Sequence, residues 1–145
     1  MRMSTQFTVS VQLLLLVAVA RDQKITSEAM AESTGANPVM IRQLFGKLKN
    51  AGILHVSAGR GATSLAKASS DISLWDIYMA VEEYKQEGLF KFHPQISDGC
   101  QVGRFFKEIL GGHLDEALRA MAEKMEKISI AQLVNEWQEI NEQEQ

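Results

Sequence analysis

The sequence predicts a mainly α-helical chain carrying one small β-hairpin. Three observations point that way. Two short, well-capped helical segments flank a glycine near residue 35, two short alternating runs face each other across a glycine-rich turn at 53–66, and a long amphipathic stretch fills the chain from Val102 onward. The first two features, set behind an apolar N-terminal helix, make residues 1–68 a winged helix-turn-helix, and residues 69–145 become a helical segment suited to dimerisation and possible sensing.

The first helix is expected from about Ser4 to Ala20. Phe7, Val11, Leu14 and Ala18 recur at helical spacing, and Leu13, Leu15 and Leu16 extend the apolar surface around the rest. Arg2 ahead of Val9–Ala20 imitates a secretory leader, yet Gln12 interrupts the run, and the run is well short of the ~20 residues that span a membrane. A helix apolar on nearly every side needs cover on nearly every side. That expectation assigns it, through Leu14, to contact with a second chain.

Thr26 can cap a short helix running to about Thr34, which Gly35 ends. Asn37 and Pro38 open the next one as N-cap and first helical residue, and it continues to about Asn50, with Gly52 as the stop. Ile41, Leu44, Phe45 and Leu48 form its inner face. Its outer face is then polar: Val39, Arg42, Gln43, Gly46, Lys47 and Asn50, with Asn37 at its start. Such a set suits a DNA major groove, where arginine grips guanine, glutamine grips adenine, valine touches a thymine methyl and lysine neutralises phosphate. Gly46 lets the helix approach closely, at ~1 kcal/mol of helix propensity relative to alanine. An ordinary solvated face would have the same spacing.

Ile53–Ser57 and Thr63–Ala66 read as the strands of a wing, with Ala58–Ala62 as its turn. Arg60, between two glycines, is placed to probe a minor groove or a phosphate. Ser73 with Asp76 gives a capping-box start to a helix striped by Leu74, Ile77, Tyr78 and Val81. Residues 86–100 hold Gly88, Pro94, Ser97, Asp98 and Gly99 and should be irregular. The long stretch that follows carries Leu114, Leu118, Met121, Met125 and Ile128, then Ile130, Leu133, Val134 and Trp137, a stripe that asks for a dimer partner.

Charge divides the chain in the same place. The net charge is −3, but residues 1–67 hold eight basic against three acidic residues, a net of +5, and the remainder holds seven against fifteen, a net of −8. The first half thus suits a polyanion and the second faces water or protein. The one cysteine excludes a disulfide framework within the chain and fits the reducing cytoplasm.

Asn37-Pro38-Val39-Met40-Ile41-Arg42, then Leu44, Leu48, Ala51-Gly52, Leu65-Ala66-Lys67 and Ile72-Ser73-Leu74-Trp75-Asp76-Ile77 with Ala80-Val81-Glu82, resemble in order and spacing the Rrf2 family of bacterial winged-helix transcriptional regulators. The resemblance covers most of the chain. It implies a homodimer, two recognition helices set for an imperfect palindrome in double-stranded DNA and a wing residue in the minor groove; the regulator is read as a repressor, with an activator as the alternative. Two departures stand out. The wing lacks the Gly-Gly-Tyr of many relatives, and those relatives that bind an iron–sulfur cluster carry three closely spaced cysteines near the position of Cys100, where this chain has one. The expected cofactor set is therefore empty, since a cluster is anchored by several thiolates.

Rival readings attach to the same residues. Cys100 with His93, Asp98 and His113 could be imagined as a nucleophile and base, but no phosphate loop, serine elbow or metal-ligand motif supports an enzyme. Cys100 could otherwise be an inert, partly buried thiol, or an exposed redox thiol that is oxidised or paired with its equivalent across a dimer; the only cations near it are Arg104 and Lys107. A winged helix used purely as a protein-interaction module would carry acids as readily as bases in its first half.

Overall fold

The computed structural model describes residues 4–21, 23–57, 63–82 and 89–145. The described residues form six α-helices in chain order: α1 (Thr5–Ala20), α2 (Ser27–Thr34), α3 (Pro38–Asn50), α4 (Leu74–Val81), α5 (Gln101–Glu126) and α6 (Ile130–Gln143). Between α3 and α4 come β1 (Leu54–Val56), β2 (Thr63–Leu65) and a 3-10 turn at Ser69–Asp71. The strands pair antiparallel, with Leu54 opposite Leu65 and Val56 opposite Thr63.

Local chemistry sets most of the boundaries. Ser4, Thr26, Asn37, Ser73 and Ser129 each cap a helix by accepting a backbone N–H in its first turn. At Ser73 the box is complete, because the Asp76 carboxylate accepts the Ser73 N–H in return. Gly35 closes α2 in the left-handed region at φ 73°, which a side chain would strain, so the tight turn into α3 depends on glycine.

One core runs through the chain on both sides of residue 68. Leu13, Leu14 and Val17 of α1 meet Met30, Ile41, Leu44, Leu48, Ile53 and Leu54, and beyond them Ile72, Ile77, Val81 and Ile130. The helix α1 lies at its centre, packed by α2, α4, α6 and β2 of its own chain. This corrects the assignment of Leu14 to a dimer contact. Leu14 is fully enclosed within its own chain, because α6 folds back over α1 and supplies the cover that the all-round apolar pattern demanded.

The chain from Val102 is also two helices rather than one continuous stretch. It breaks at residues 127–129, where the starts of α4 and α6 are tied together: the Leu74 N–H donates to the Ile128 carbonyl and the Ile130 N–H to the Ile72 carbonyl, both at 2.9 Å. Those two bonds and the Ser129 cap turn the chain back toward α1.

Candidate nucleic-acid interface

Helix α3 presents the residues on which a nucleic-acid reading rests. Ile41, Leu44 and Leu48 are fully buried, and Phe45 half-buried beside them, so the opposite face is held outward by the core. Val39 (56% exposed), Arg42, Gln43, Gly46, Lys49 and Asn50 form that face. Asn37 is exposed but committed: its Oδ1 accepts the Met40 N–H at 2.8 Å as the helix cap. Apart from its chain neighbours and the backbone of α3 itself, no described atom lies within 4 Å of where a Cβ on Gly46 would stand. The chain's own packing therefore leaves this glycine unexplained.

Lys47 does not join the face. Its Nζ donates to Gln6 Oε1 of α1 at 2.8 Å and to the Val81 carbonyl at the end of α4 at 3.2 Å. At about 100° per residue, Lys47 and Lys49 stand on opposite flanks of α3, and α1 and α4 cover only the first. The exposed lysine of α3 beside Arg42 is thus Lys49, seven residues on and nearly in line with it, a spacing that was readable but unused. Arg60, the expected wing probe, lies outside the described residues.

Beside Lys47 the internal polar cluster continues. Glu82 is buried and accepts from Ser4 Oγ at 2.8 Å. Tyr78, 3% exposed, stacks on Trp75 at 5.0 Å and meets Phe7 edge-on at 6.0 Å. Its burial, with the nearby Glu82 carboxylate second, pushes the phenol above its usual value.

The apolar side of α5 is only partly covered by the described residues. None of its 26 residues is buried, although the helix is about 39 Å long. Leu114, Leu118, Met121 and Met125, the expected dimer stripe, are each half-buried. The most exposed large apolar residues lie nearer its start: Val102 (68%), Phe105, Phe106 and Ile109 (62%). Sequence reasoning missed these four, though their i, i+3/i+4, i+7 spacing carried the signal.

The loop ahead of α5 packs tightly on it. A Cβ on Gly103 would come within 2.5 Å of the Ser97 carbonyl, so only glycine fits there. Cys100 occupies the N-cap position of α5 without a capping bond, and it is exposed, which corrects the partly buried thiol of the sequence reading. The donors near it do not make a cluster or metal site. His93 Nδ1 already accepts the Gln95 N–H at 3.2 Å, and His113 stands about 19 Å further along α5. Among the described residues no three His, Cys, Asp or Glu side chains converge as metal ligands, and no helix is long and apolar enough to cross a membrane.

A two-strand wing beside a helix-turn-helix with an outward polar helix defines a winged-helix DNA-binding transcription regulator, and the comparisons agree. Residues 3–136 match the model of the Rrf2 family, described as an iron-dependent transcriptional regulator, and the chain belongs to that family. It is 34% identical over 132 residues to YwnA of Bacillus subtilis (strain 168), named as an HTH-type transcriptional regulator, covering 91% of this chain and 96% of that one. A solved structure described as a DNA-binding protein superposes with a TM-score of 0.70 at 29% identity, over 88% of this chain and 97% of the other. IscR of T. potens shares the fold at TM-score 0.72 and 20% identity, over 97% and 90%. The family model and YwnA are both described as transcriptional regulators.

Proposed function

We propose that the chain acts as a homodimeric repressor that reads an imperfect palindrome in double-stranded DNA, with one α3 in the major groove of each half-site and the wing alongside. The observation that carries this reading is the split of α3 into a fully buried apolar face and an exposed face bearing Val39, Arg42 and Gln43, with Lys49 at its edge. Arginine and glutamine supply the bidentate donors and acceptors that distinguish base edges, while the lysine supplies the phosphate contact. The open apolar face of α5 supports the dimer. A regulator that occupies its operator needs no contacts beyond these to repress.

The chain's own thiols do not suit an iron–sulfur cluster. The family model is described as iron-dependent, but a cluster needs several thiolates and Cys100 is the sole cysteine.

The test is footprinting on DNA upstream of the protein's own coding region, followed by affinity measurements on the protected duplex. Two protected half-sites about one helical turn apart are expected. Arg42→Ala should relax preference at a single base position of each half-site, by about 1–3 kcal/mol. Equal binding to operator and scrambled duplexes would return the chain to a protein-interaction role.

A further inference from the structure

Between α1, α2 and α6 lies a half-open pocket of about 260 Å³, lined by Gln12, Leu15, Leu16, Val19, Ser33 and Trp137, with the exposed Ser33 and Trp137 at its rim. Aliphatic side chains of α1 and the indole of Trp137, itself 44% exposed, make its walls, and no charged side chain contributes. Its polar corner is ordered. Gln12 Nε2 donates to the Ser33 carbonyl at 2.9 Å and to Ser33 Oγ at 3.2 Å, which fixes the amide. The Gln12 Oε1 is thereby left as an acceptor, and the Ser33 hydroxyl, accepting from Gln12, keeps its proton to donate.

We propose that this cavity binds a small uncharged aromatic molecule bearing one hydroxyl-type group, with its ring against Trp137 and that group between Gln12 Oε1 and Ser33 Oγ, and that its occupancy changes operator affinity. Size limits the ligand to one ring with a short substituent, since a dry cavity of about 150 Å³ already holds benzene and drug-sized ligands need about 300 Å³ or more. A neutral ligand is favoured because none of the described residues lining the pocket carries a charge to offset the hydration an ion gives up against the apolar walls. An aromatic body suits the indole face and gives an edge or stacked contact unavailable to an alkane. The site also has a route to α3. Ser33 is in the last turn of α2, two residues before the Gly35 turn that sets the angle of α3, while Trp137 belongs to α6. A molecule bridging them biases how the helix-turn-helix sits against the C-terminal helix. This regulatory half rests on the DNA-binding reading; the binding half does not.

The probe is p-cresol, titrated into the full-length ¹⁵N-labelled protein, with toluene and 4-methylbenzoate as the forms lacking the hydroxyl and carrying a charge. Saturable shifts of the Gln12 side-chain amide and the Trp137 indole N–H are expected with p-cresol. Toluene should bind about tenfold more weakly and 4-methylbenzoate not detectably. Trp137→Ala and Ser33→Ala should each weaken p-cresol binding severalfold, and both side chains lie far enough out for the core to survive, which a thermal melt checks. No saturation by 5 mM, equal affinity for toluene, or Gln12 shifts unchanged in Trp137→Ala would overturn the site. So would a loss of dimer in Trp137→Ala by sedimentation, which would assign the groove to a second copy of the chain. Operator affinity is read separately: a change under saturating p-cresol supports the regulatory half, and an unchanged affinity overturns that half alone. If the protein binds no operator at all while the shifts persist, the DNA reading fails and the ligand site stands.

Discussion

Single residues show where side-chain chemistry and tertiary packing part company. Lys47 has the composition of a phosphate contact and the environment of a structural tie, since two acceptors from α1 and α4 meet its amine. Lys47→Met should therefore cost about 1 kcal/mol of stability by leaving those acceptors without their donor, while the salt dependence of DNA binding stays as it was. Lys49→Ala should do the reverse, flattening the log–log salt slope by about one unit per half-site with stability unchanged. A flattened slope in the Lys47 variant would restore it to the interface. Tyr78 gives a pH prediction. Its folded-state ionisation lies above the free value of about 10, so the folded protein keeps a proton that the unfolded chain gives up. The stability this supplies is fully present below about pH 10 and is lost as pH climbs through the folded value. Chemical denaturation between pH 9 and 11 should show a steeper loss for the original protein than for Tyr78→Phe; parallel curves would remove the linkage.

At the level of elements, the capped helices were legible in the sequence because each boundary is a local event. Thr26, Asn37 and Ser73 cap within three residues, and Gly35 takes up the left-handed conformation its position announced. The buried face of α3 was equally readable, for Ile41, Leu44 and Leu48 repeat with the helix. What escaped were decisions taken between distant segments. The return of α6 over α1 is made by bonds between residues 72–74 and 128–130, more than fifty positions apart, and no periodicity encodes them. The fate of Lys47 likewise depended on which flank of α3 another helix would cover. Gly46 is the opposite case, a residue whose reason is not found in the free chain. With open space around its Cβ position, Gly46→Ala should stabilise α3 by about 1 kcal/mol. If closeness to DNA is why glycine stands there, the same variant binds operator more weakly despite its higher melting temperature. A variant that is more stable and binds equally well would leave the groove-facing role of this position without support.

For the whole molecule the deciding feature is α5, because a helix about 39 Å long with no buried residue is only partly covered by the described residues of its own chain. Large exposed apolar patches on a soluble protein mark association surfaces. Here Val102, Phe105, Phe106 and Ile109 are gathered on the first two and a half turns, next to the half-buried Leu114 and Leu118. A second α5 lying alongside would cover both groups at once, and a two-fold axis between the copies would place two α3 helices for a palindrome. The cleanest disruption is at Ile109, 62% exposed, where an aspartate costs the folded monomer little but would lie unpaired inside an apolar interface. Ile109→Asp should sediment as a monomer at micromolar concentration, with the helical content of the original protein. Its operator affinity should fall by orders of magnitude, while binding to a single half-site stays near that of the original protein. Leu118→Asp should also lose the dimer, but because Leu118 is half-buried in its own chain it should lower the melting temperature as well. An Ile109→Asp protein that remains dimeric would move the two-fold axis away from the start of α5, and an original protein that is monomeric under the same conditions would remove the palindrome with it.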